Sequence, residues 1–293
     1  MLKKRLKAVP FMIAAAFCVA LSGMSLRLAN GGFDVPTLVL MRTAISLLYI
    51  CLLTRRFISL FPTKILKTHL FRGIVGTSSI FAMYYGMNMA SLTNALTLYF
   101  TAPLFLPFIA YLWKGIKIEH ALWPGIVIAF IGVLLVIHPD QGIFEWGSDL
   151  SLYAGIVMAL MLLAVRYMHE TEKSETILFY FFLISFVIAL IVWLSVSREF
   201  PSTREGWIYL TIAAFFGALY QHMLTLGSKF APVRMTSPIL YCSLIFSLPF
   251  DYFIFRSIPG ELEWIGIGCI IVGLVVLTWM FPSAPTGIEK QNP

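Results

Sequence analysis

The chain has 293 residues, of which 59% are apolar and only 12% are charged, and its formal net charge is +7. Soluble domains are about 45–50% apolar and about 25% charged, so this composition excludes an ordinary soluble enzyme and indicates an integral membrane protein. The basic residues lie in short connectors between apolar runs, which argues against a nucleic-acid partner.

By length and hydropathy the sequence predicts an all-α integral membrane protein with ten transmembrane helices, since a spanning helix needs about 20 mostly apolar residues. The connectors contain glycine and proline, and each is too short to form a separate soluble domain. The tail 282–293 is predicted to be disordered and cytoplasmic. The predicted spans are 8–28, 35–54, 70–89, 93–113, 121–138, 150–168, 177–196, 206–226, 234–255 and 261–281.

The stretch from Leu98 to Gly132 occurs twice in the chain. The first copy contains Leu106-Pro107-Phe108, Glu119, Trp123 and Gly132, and the second contains Leu248-Pro249-Phe250, Glu261, Trp264 and Gly273. One single-residue gap brings the copies into register, and upstream Gly76 and Gly86 match Gly217 and Gly227 at the same spacing. This pattern predicts an internal duplication into five-helix repeats over 8–139 and 150–281.

Five spans per repeat is an odd number, so the repeats are predicted to enter the membrane in opposite directions and to be related by an axis in the membrane plane. Most Lys and Arg residues, Arg72 included, fall on one side if the amino terminus is cytoplasmic. We therefore expect both termini in the cytoplasm. The membrane itself is expected to be a bacterial inner membrane, an expectation that belongs with the family resemblance described below. Arg27 and Arg166 are expected to snorkel to the headgroups at opposite faces.

Polar side chains concentrate in the third, fourth, eighth and ninth predicted spans. Because an unpaired polar group in lipid is costly, these four spans are expected to surround a central cavity. Arg42 lies in the middle of the second span, where an arginine is costly unless it is paired or hydrated. The candidate substrate-binding residues are Ser78, Tyr85, Tyr99, Gln221, His222, Tyr241 and Arg42.

Each candidate also has a structural interpretation that the sequence leaves open. A serine or threonine can bond its own helix, a tyrosine can belong to an interfacial belt, and a buried histidine can be satisfied by a neighbour. Asp251 is expected to reach the membrane interface. Four prolines remove helix hydrogen bonds where bending would assist opening, and they are either hinges or static kinks: Pro103, Pro107, Pro238 and Pro249.

The glycine pairs 125/132 and 266/273 indicate close helix contacts. The four cysteines have no paired spacing and are predicted to be small apolar side chains without disulfides. Phosphate loops, metal-ligand clusters and nucleophile motifs are absent from the sequence, so neither an enzyme activity, a cofactor nor a metal is predicted.

With its inverted five-span duplication and its proline, glutamate and glycine in order, the chain resembles the EamA-type carriers of the drug/metabolite transporter superfamily. The similar segments include Tyr84-Tyr85-Gly86, Ala102-Pro103-Leu104-Phe105 and Gly132-Val133-Leu134. Arg72-Gly73 and the Pro-Leu-Phe segment look most similar to the S-adenosylmethionine uptake branch, whereas Ile245 stands where Pro103 stands in the first repeat. The resemblance implies a central cavity and alternating access without ATP hydrolysis.

These features predict a secondary transporter of a small polar or amphipathic metabolite, such as S-adenosylmethionine or an amino-acid-like solute, acting by facilitated diffusion or exchange. One alternative is a proton-coupled metabolite or drug exporter, for which His222 and Asp251 are the candidate coupling residues. An alternative of another class is a membrane scaffold or a membrane-embedded enzyme. The expected partners are a small-molecule substrate and the lipid bilayer, with the oligomeric state left open.

Overall fold

The computed structural model describes residues 8–29, 33–54, 60–115, 123–137, 146–196, 200–230, 240, 242–256 and 260–279. Within these ranges the secondary structure is helical, and six helical segments are long and apolar enough to cross a membrane. The tail 282–293 and the candidates Pro238 and Tyr241 lie outside the described residues.

The helices follow the predicted spans closely. In the first repeat they are α1 (Ala8–Leu28), α2 (Val35–Leu53), α3 (Leu66–Met89), α4 (Leu92–Tyr99), α5 (Ala102–Lys114) and α6 (Trp123–Ile137). In the second repeat they are α7 (Trp146–Met168), α8 (Ser174–Val196), α9 (Arg204–Phe230), α10 (Cys242–Pro249), a π-helix (Phe250–Ile254) and α11 (Glu261–Trp279).

Local sequence fixes several helix ends. Asp34 caps α2, its carboxylate accepting a hydrogen bond of 2.9 Å from the Thr37 amide. Ser91 caps α4 in the same way, accepting from the Asn94 amide at 3.2 Å. Helix α5 ends at Gly115, whose φ of 65° suits a residue without a side chain.

The fourth predicted span, 93–113, is not one continuous helix. It breaks at Phe100 and Thr101 into α4 and α5, with Pro103 in the first turn of α5. Pro103 has no N–H to donate to the Tyr99 carbonyl four residues back, which removes one helix hydrogen bond across the break. The carbonyls of Leu98 and Tyr99 lie against Gly155 of α7, where an added Cβ would sit 2.6 and 2.8 Å from them.

The ninth predicted span is irregular as well. Helix α10 ends at Pro249, and the chain continues through the π-helix, where the Phe255 amide donates to the Phe250 carbonyl at 3.2 Å. The span therefore changes from an α-helix to a π-helix immediately after a proline.

The most extensive contacts between the helices have counterparts when the two repeats are exchanged. Helix α1 packs on α9, and its equivalent α7 packs on α3, the equivalent of α9. In the same way the α2–α9 contact has its counterpart in α8–α3, while α2 packs on its own equivalent α8 and α6 on α11. The repeats are thus interleaved, and each depends on the other for its core.

Glycines permit the close crossing of α6 and α11. A Cβ added to Gly132 would lie 2.6 Å from the Gly266 carbonyl, and one added to Gly273 would lie 2.7 Å from the Gly125 carbonyl. The prediction of close contacts at these glycines is therefore confirmed. The four cysteines are free, in agreement with their sequence context.

The bundle has two sides, which contacts at the helix ends and in the connectors identify. On the amino-terminal side, where α1 starts and α9 ends, the rings of Phe11 and Phe230 stack at 5.7 Å, and Thr63 donates to Glu172 at 2.7 Å. On the opposite side, where α1 ends and α4 and α11 start, Asn94 donates to Glu263 at 2.6 Å.

Candidate functional site

Two buried tyrosines meet in the middle of the bundle. Tyr99 closes α4 and Tyr220 lies on α9, and their hydroxyl oxygens are 2.9 Å apart. The Tyr220 hydroxyl also approaches the Met158 sulfur at 4.0 Å. Because Tyr99 lies next to the break between α4 and α5, the pair links the irregular fourth span of the first repeat to the second repeat.

A small cavity lies beside Tyr99, toward the amino-terminal side. Its water-accessible volume of about 40 Å³ holds about three water molecules. This volume is too small for a metabolite, so the bundle must open before a solute as large as a metabolite can enter. The cavity is lined by residues of α3, α4, α7, α8 and α9, among them Arg72, Ser79, Tyr99, Gln221, Thr225 and Ser228.

A second polar cluster surrounds Arg42. This arginine is 1% exposed, and its Cζ lies 5.5 Å from the centroid of the Tyr84 ring. Tyr84 in turn shares a hydrogen bond of 2.8 Å with Ser22, which donates to the Ala213 carbonyl. Gly217 leaves room for this cluster, because an added Cβ would lie 2.8 Å from the Arg42 Nε.

The Arg42 guanidinium is incompletely satisfied. Its Nη1 has no hydrogen-bond partner among the described residues. The Arg42 charge is close enough to act electrostatically on both Tyr99 and Tyr220. A desolvated cation in the middle of a membrane bundle is costly, and such residues commonly serve function.

The structure brings some of the candidate substrate-binding residues together and separates others. Tyr99 and Gln221 line the same cavity, with Arg42 nearby. His222, although adjacent to Gln221, lies on the α2 contact, where its Nδ1 is 2.7 Å from the Tyr49 hydroxyl. Ser78 hydrogen-bonds Tyr153, which is 45% exposed on α7. Tyr85 is half-buried, within electrostatic range of Asp34.

The described hinge candidates lie at or near irregular points of the helices. Pro103 lies in the first turn of α5, just after the break, and Pro107 lies inside α5. Pro249 is the last residue of α10, immediately before the π-helix. Their role as hinges stays a prediction.

The expectation that Asp251 reaches the membrane interface is wrong. Its side chain is 1% exposed and accepts a charged hydrogen bond of 2.7 Å from Arg27. Its other oxygen accepts from the Thr93 amide at 2.7 Å and from the Thr93 hydroxyl at 2.6 Å. Arg27 therefore pairs with a carboxylate of the other repeat, and its Cζ lies 4.4 Å from the centroid of the Phe255 ring.

A polar network, here called the polar gate, joins the two repeats on the opposite side of the bundle. Arg27, Thr93 and Asn94 belong to the first repeat, whereas Asp251 and Glu263 belong to the second. Each hydrogen bond among them joins the two repeats. Charge-assisted bonds are the stronger class, so this polar gate holds the two repeats together on that side.

Sequence reasoning missed Arg72 as a site residue by counting it among the connector charges. It lies within α3 and is 1% exposed. Its Nη1 donates to the Ile177 carbonyl at 3.1 Å, and its Cζ lies 4.2 Å from the centroid of the Phe181 ring. The available signal was its position two residues inside the third predicted span, since a charged residue that is buried within a span commonly serves function.

His169 follows α7 on the amino-terminal side, with its Nε2 3.3 Å from the Thr225 carbonyl. Burial lowers its pKa from 6.5 to about 4. The ring is therefore neutral at physiological pH, and Nε2 donates to the carbonyl. Among the described residues no group of three or more acidic, histidine or cysteine side chains could hold a metal ion.

Comparison with known proteins agrees with this architecture. The EamA-like transporter family model matches residues 6–138 and again residues 146–279. A crystal structure of a protein 14% identical in sequence superposes with a TM-score of 0.66 over 94% of this chain and 98% of that one, which supports the fold.

Several curated relatives are named as transporters. The pseudopaline exporter CntI of Pseudomonas aeruginosa is 22% identical over 91% of this chain and 94% of its own length. The S-adenosylmethionine uptake transporter of Rickettsia felis is 25% identical over 66% of this chain and 65% of its own. The riboflavin transporter of Vibrio cholerae is 22% identical over 93% of each chain. Since the family model matches both repeats, the chain belongs to the EamA-like transporter family.

Proposed function

We propose that the protein is a secondary transporter that moves a small polar or amphipathic metabolite across a bacterial inner membrane by alternating access. Its units are two inverted five-helix repeats, 8–139 and 150–281, which together make ten transmembrane helices. The amino-terminal side of the bundle is the cytoplasmic side, because most Lys and Arg residues fall there.

The observation that carries this proposal is the difference between the two sides of the bundle. The polar gate of Arg27, Thr93, Asn94, Asp251 and Glu263 closes the opposite side. The central cavity lies on the amino-terminal side of the Tyr99–Tyr220 pair. This conformation is therefore closed to the outside, with its small cavity displaced toward the cytoplasm.

The exchange symmetry of the helix contacts supports a reversal of that state. Two like repeats with equivalent partners can interchange conformations, so that the closed side opens while the open side closes. The breaks at α4–α5 and at α10 lie in equivalent spans, where bending would change the width of the cavity. Solute binding then shifts the equilibrium by its differential affinity for the two states.

For the substrate we propose S-adenosylmethionine or an amino-acid-like metabolite, moved by facilitated diffusion or exchange. Relatives named for S-adenosylmethionine uptake, riboflavin transport and pseudopaline export indicate a family that accepts polar metabolites. Tyr99 and Gln221 are the candidate contacts that the described cavity supports most directly.

Counterflow in proteoliposomes tests this function. Vesicles containing the purified full-length chain are loaded with unlabelled solute, and the uptake of labelled S-adenosylmethionine, amino acids and riboflavin is then followed. We expect at least one solute to show counterflow without an imposed ion gradient. Empty vesicles are the control, and absence of counterflow for every solute tested contradicts the proposal.

The buried carboxylate of Asp251 favours one second candidate, a proton-coupled exporter. Protonation of Asp251 would remove the charge that holds Arg27 and would loosen the gate. In that case net flux depends on a pH gradient, and Asp251→Asn uncouples flux from the gradient. Equal flux with and without the gradient in the wild-type protein excludes this candidate.

A further inference from the structure

The central cavity has one charged residue among its described lining residues, the buried Arg72. We propose that Arg72 and Thr225 form a binding site for the carboxylate of the transported solute, an inference that rests on the proposed function. The cavity volume of about 40 Å³ suits a group of about three heavy atoms, which is the size of a carboxylate. The remainder of the solute would occupy space that appears only when the bundle opens.

Arg72 is held in place without being fully used. Its Nη1 donates to the Ile177 carbonyl, and its guanidinium lies over the Phe181 ring, so α8 fixes the plane of the group. Its Nε is buried and has no partner among the described residues. An arginine oriented in this way keeps a donor ready for an anion at little further cost in conformational entropy.

Thr225 supplies a hydroxyl group that has no hydrogen-bond partner among the described residues. The residue is 1% exposed. Ser228, on the same helix and in the same cavity, bonds the Leu224 carbonyl one turn back, and Ser79 bonds the Ala154 carbonyl. A buried hydroxyl left without its usual helix bond carries a desolvation cost that a bound oxygen would remove.

The charge balance of the cavity selects a singly charged anion. No acidic residue occurs among its described lining residues, so the Arg72 charge is not neutralised within the cavity. The Arg72 charge also acts electrostatically on His69 and His169, which lie on the amino-terminal side of the bundle. One cation and one hydroxyl match the two oxygens of a carboxylate, whereas a phosphate would need more donors.

Matched carboxylate and non-carboxylate pairs test this site in the purified full-length chain. The pairs are acetate with acetamide, leucine with leucinamide, and S-adenosylmethionine with its decarboxylated form, and inorganic phosphate is tested separately. Binding is measured as the ligand-dependent shift of the thermal unfolding midpoint. In the wild-type protein we expect the carboxylate member of at least one pair to bind at least about tenfold more tightly than its non-carboxylate partner.

The variants assign the preference to the site. Arg72→Gln should abolish the preference, Arg72→Lys should restore part of it, and Thr225→Val should weaken it. Arg166→Gln is the matched control, since this half-buried arginine of α7 lies outside the described cavity lining. If Arg72→Gln does not fold, Thr225→Val and the wild-type preference decide the test.

Three binding results would overturn the inference, and one transport result, given below, would do so as well. The binding results are no preference for the carboxylate in any wild-type pair, a preference that survives in folded Arg72→Gln and Thr225→Val, or tighter binding of phosphate. These failures remain distinct from failure of the proposed transport. Counterflow of a solute without a carboxylate would leave transport intact and refute only the carboxylate site.

Discussion

Replacing Asp251 by asparagine should open the side of the protein that the polar gate closes. The substitution keeps the shape of the side chain but removes the charge that Arg27 contacts at 2.7 Å. Because the Arg27 side chain is 21% exposed, water can replace part of the lost interaction. A charge-assisted bond contributes about 1.5–3 kcal/mol, so the outward-closed state should lose stability of that order, at the lower end of the range.

That loss translates into a change of population. Each 1.4 kcal/mol is about a factor of ten in an equilibrium constant, so the ratio of outward-open to outward-closed protein should rise by about 10-fold or more. Thr97 reports this change, because it lies one turn below Thr93 on α4 and is fully buried. In a background without the four native cysteines, Thr97→Cys is labelled from outside with a membrane-impermeant maleimide.

The labelling rate should rise by about the same factor in Asp251→Asn, and Arg27→Gln should act in the same direction. Asp149→Asn is the matched control, since this carboxylate also lies on the opposite side of the bundle, at the start of α7, but outside the gate. Unchanged labelling in folded Asp251→Asn and Arg27→Gln would refute the gate, and an equal increase in Asp149→Asn would show a nonspecific effect of charge.

Three further predictions concern packing, pH and topology. Gly273→Val should lower the thermal unfolding midpoint, because the added side chain meets the α6 backbone and overpacking of this kind costs about 1–3 kcal/mol. Gly268→Val is the control. It should change the midpoint little, since nothing lies within 4 Å of a Cβ added there. Because the pKa of His169 is lowered to about 4, the folded state binds fewer protons than the unfolded state between pH 6.5 and 4. The free energy of unfolding should therefore fall as the pH drops through this range. If His169→Gln shows the same slope of unfolding free energy against pH as the wild-type protein, this assignment is wrong. Single cysteines at the exposed positions Ser202 and Gly260 should react with an impermeant reagent from outside the cell. Cysteines at the exposed positions Lys67 and Lys173 should react only after permeabilisation. Reaction of both sets from the same side would contradict the topology.

The sequence predicted the order and limits of most helices because each apolar run is long and bounded by breakers. It also predicted close helix contacts at Gly125, Gly132, Gly266 and Gly273, although it did not show that the two helices that carry them, α6 and α11, pack on each other. It did not predict the break between α4 and α5. Hydropathy is insensitive to it, because Phe100 and Thr101 interrupt the helix without interrupting the apolar run.

The polar groups were harder to place from the sequence. Which face of a helix is buried depends on helices far along the chain, so Gln221 could not be separated from His222, although only Gln221 lines the described cavity. Asp251 and Arg27 are 224 positions apart, and hydropathy contains no signal for their pairing. Arg72 was counted with the basic residues of the cytoplasmic side and not with the site candidates, because a charge near a span end is usually solvated.

The interleaving of the repeats has a consequence for biosynthesis. Helices α1 and α3 find their main partners, α9 and α7, only in the second repeat. During synthesis the first repeat must therefore reside in the bilayer with the faces of Ser22, Thr77 and Arg72 turned to lipid, to water or to a membrane chaperone. Assembly can be completed only after α9 has been inserted, so a chain truncated before Arg204 should be recognised as an orphan and degraded.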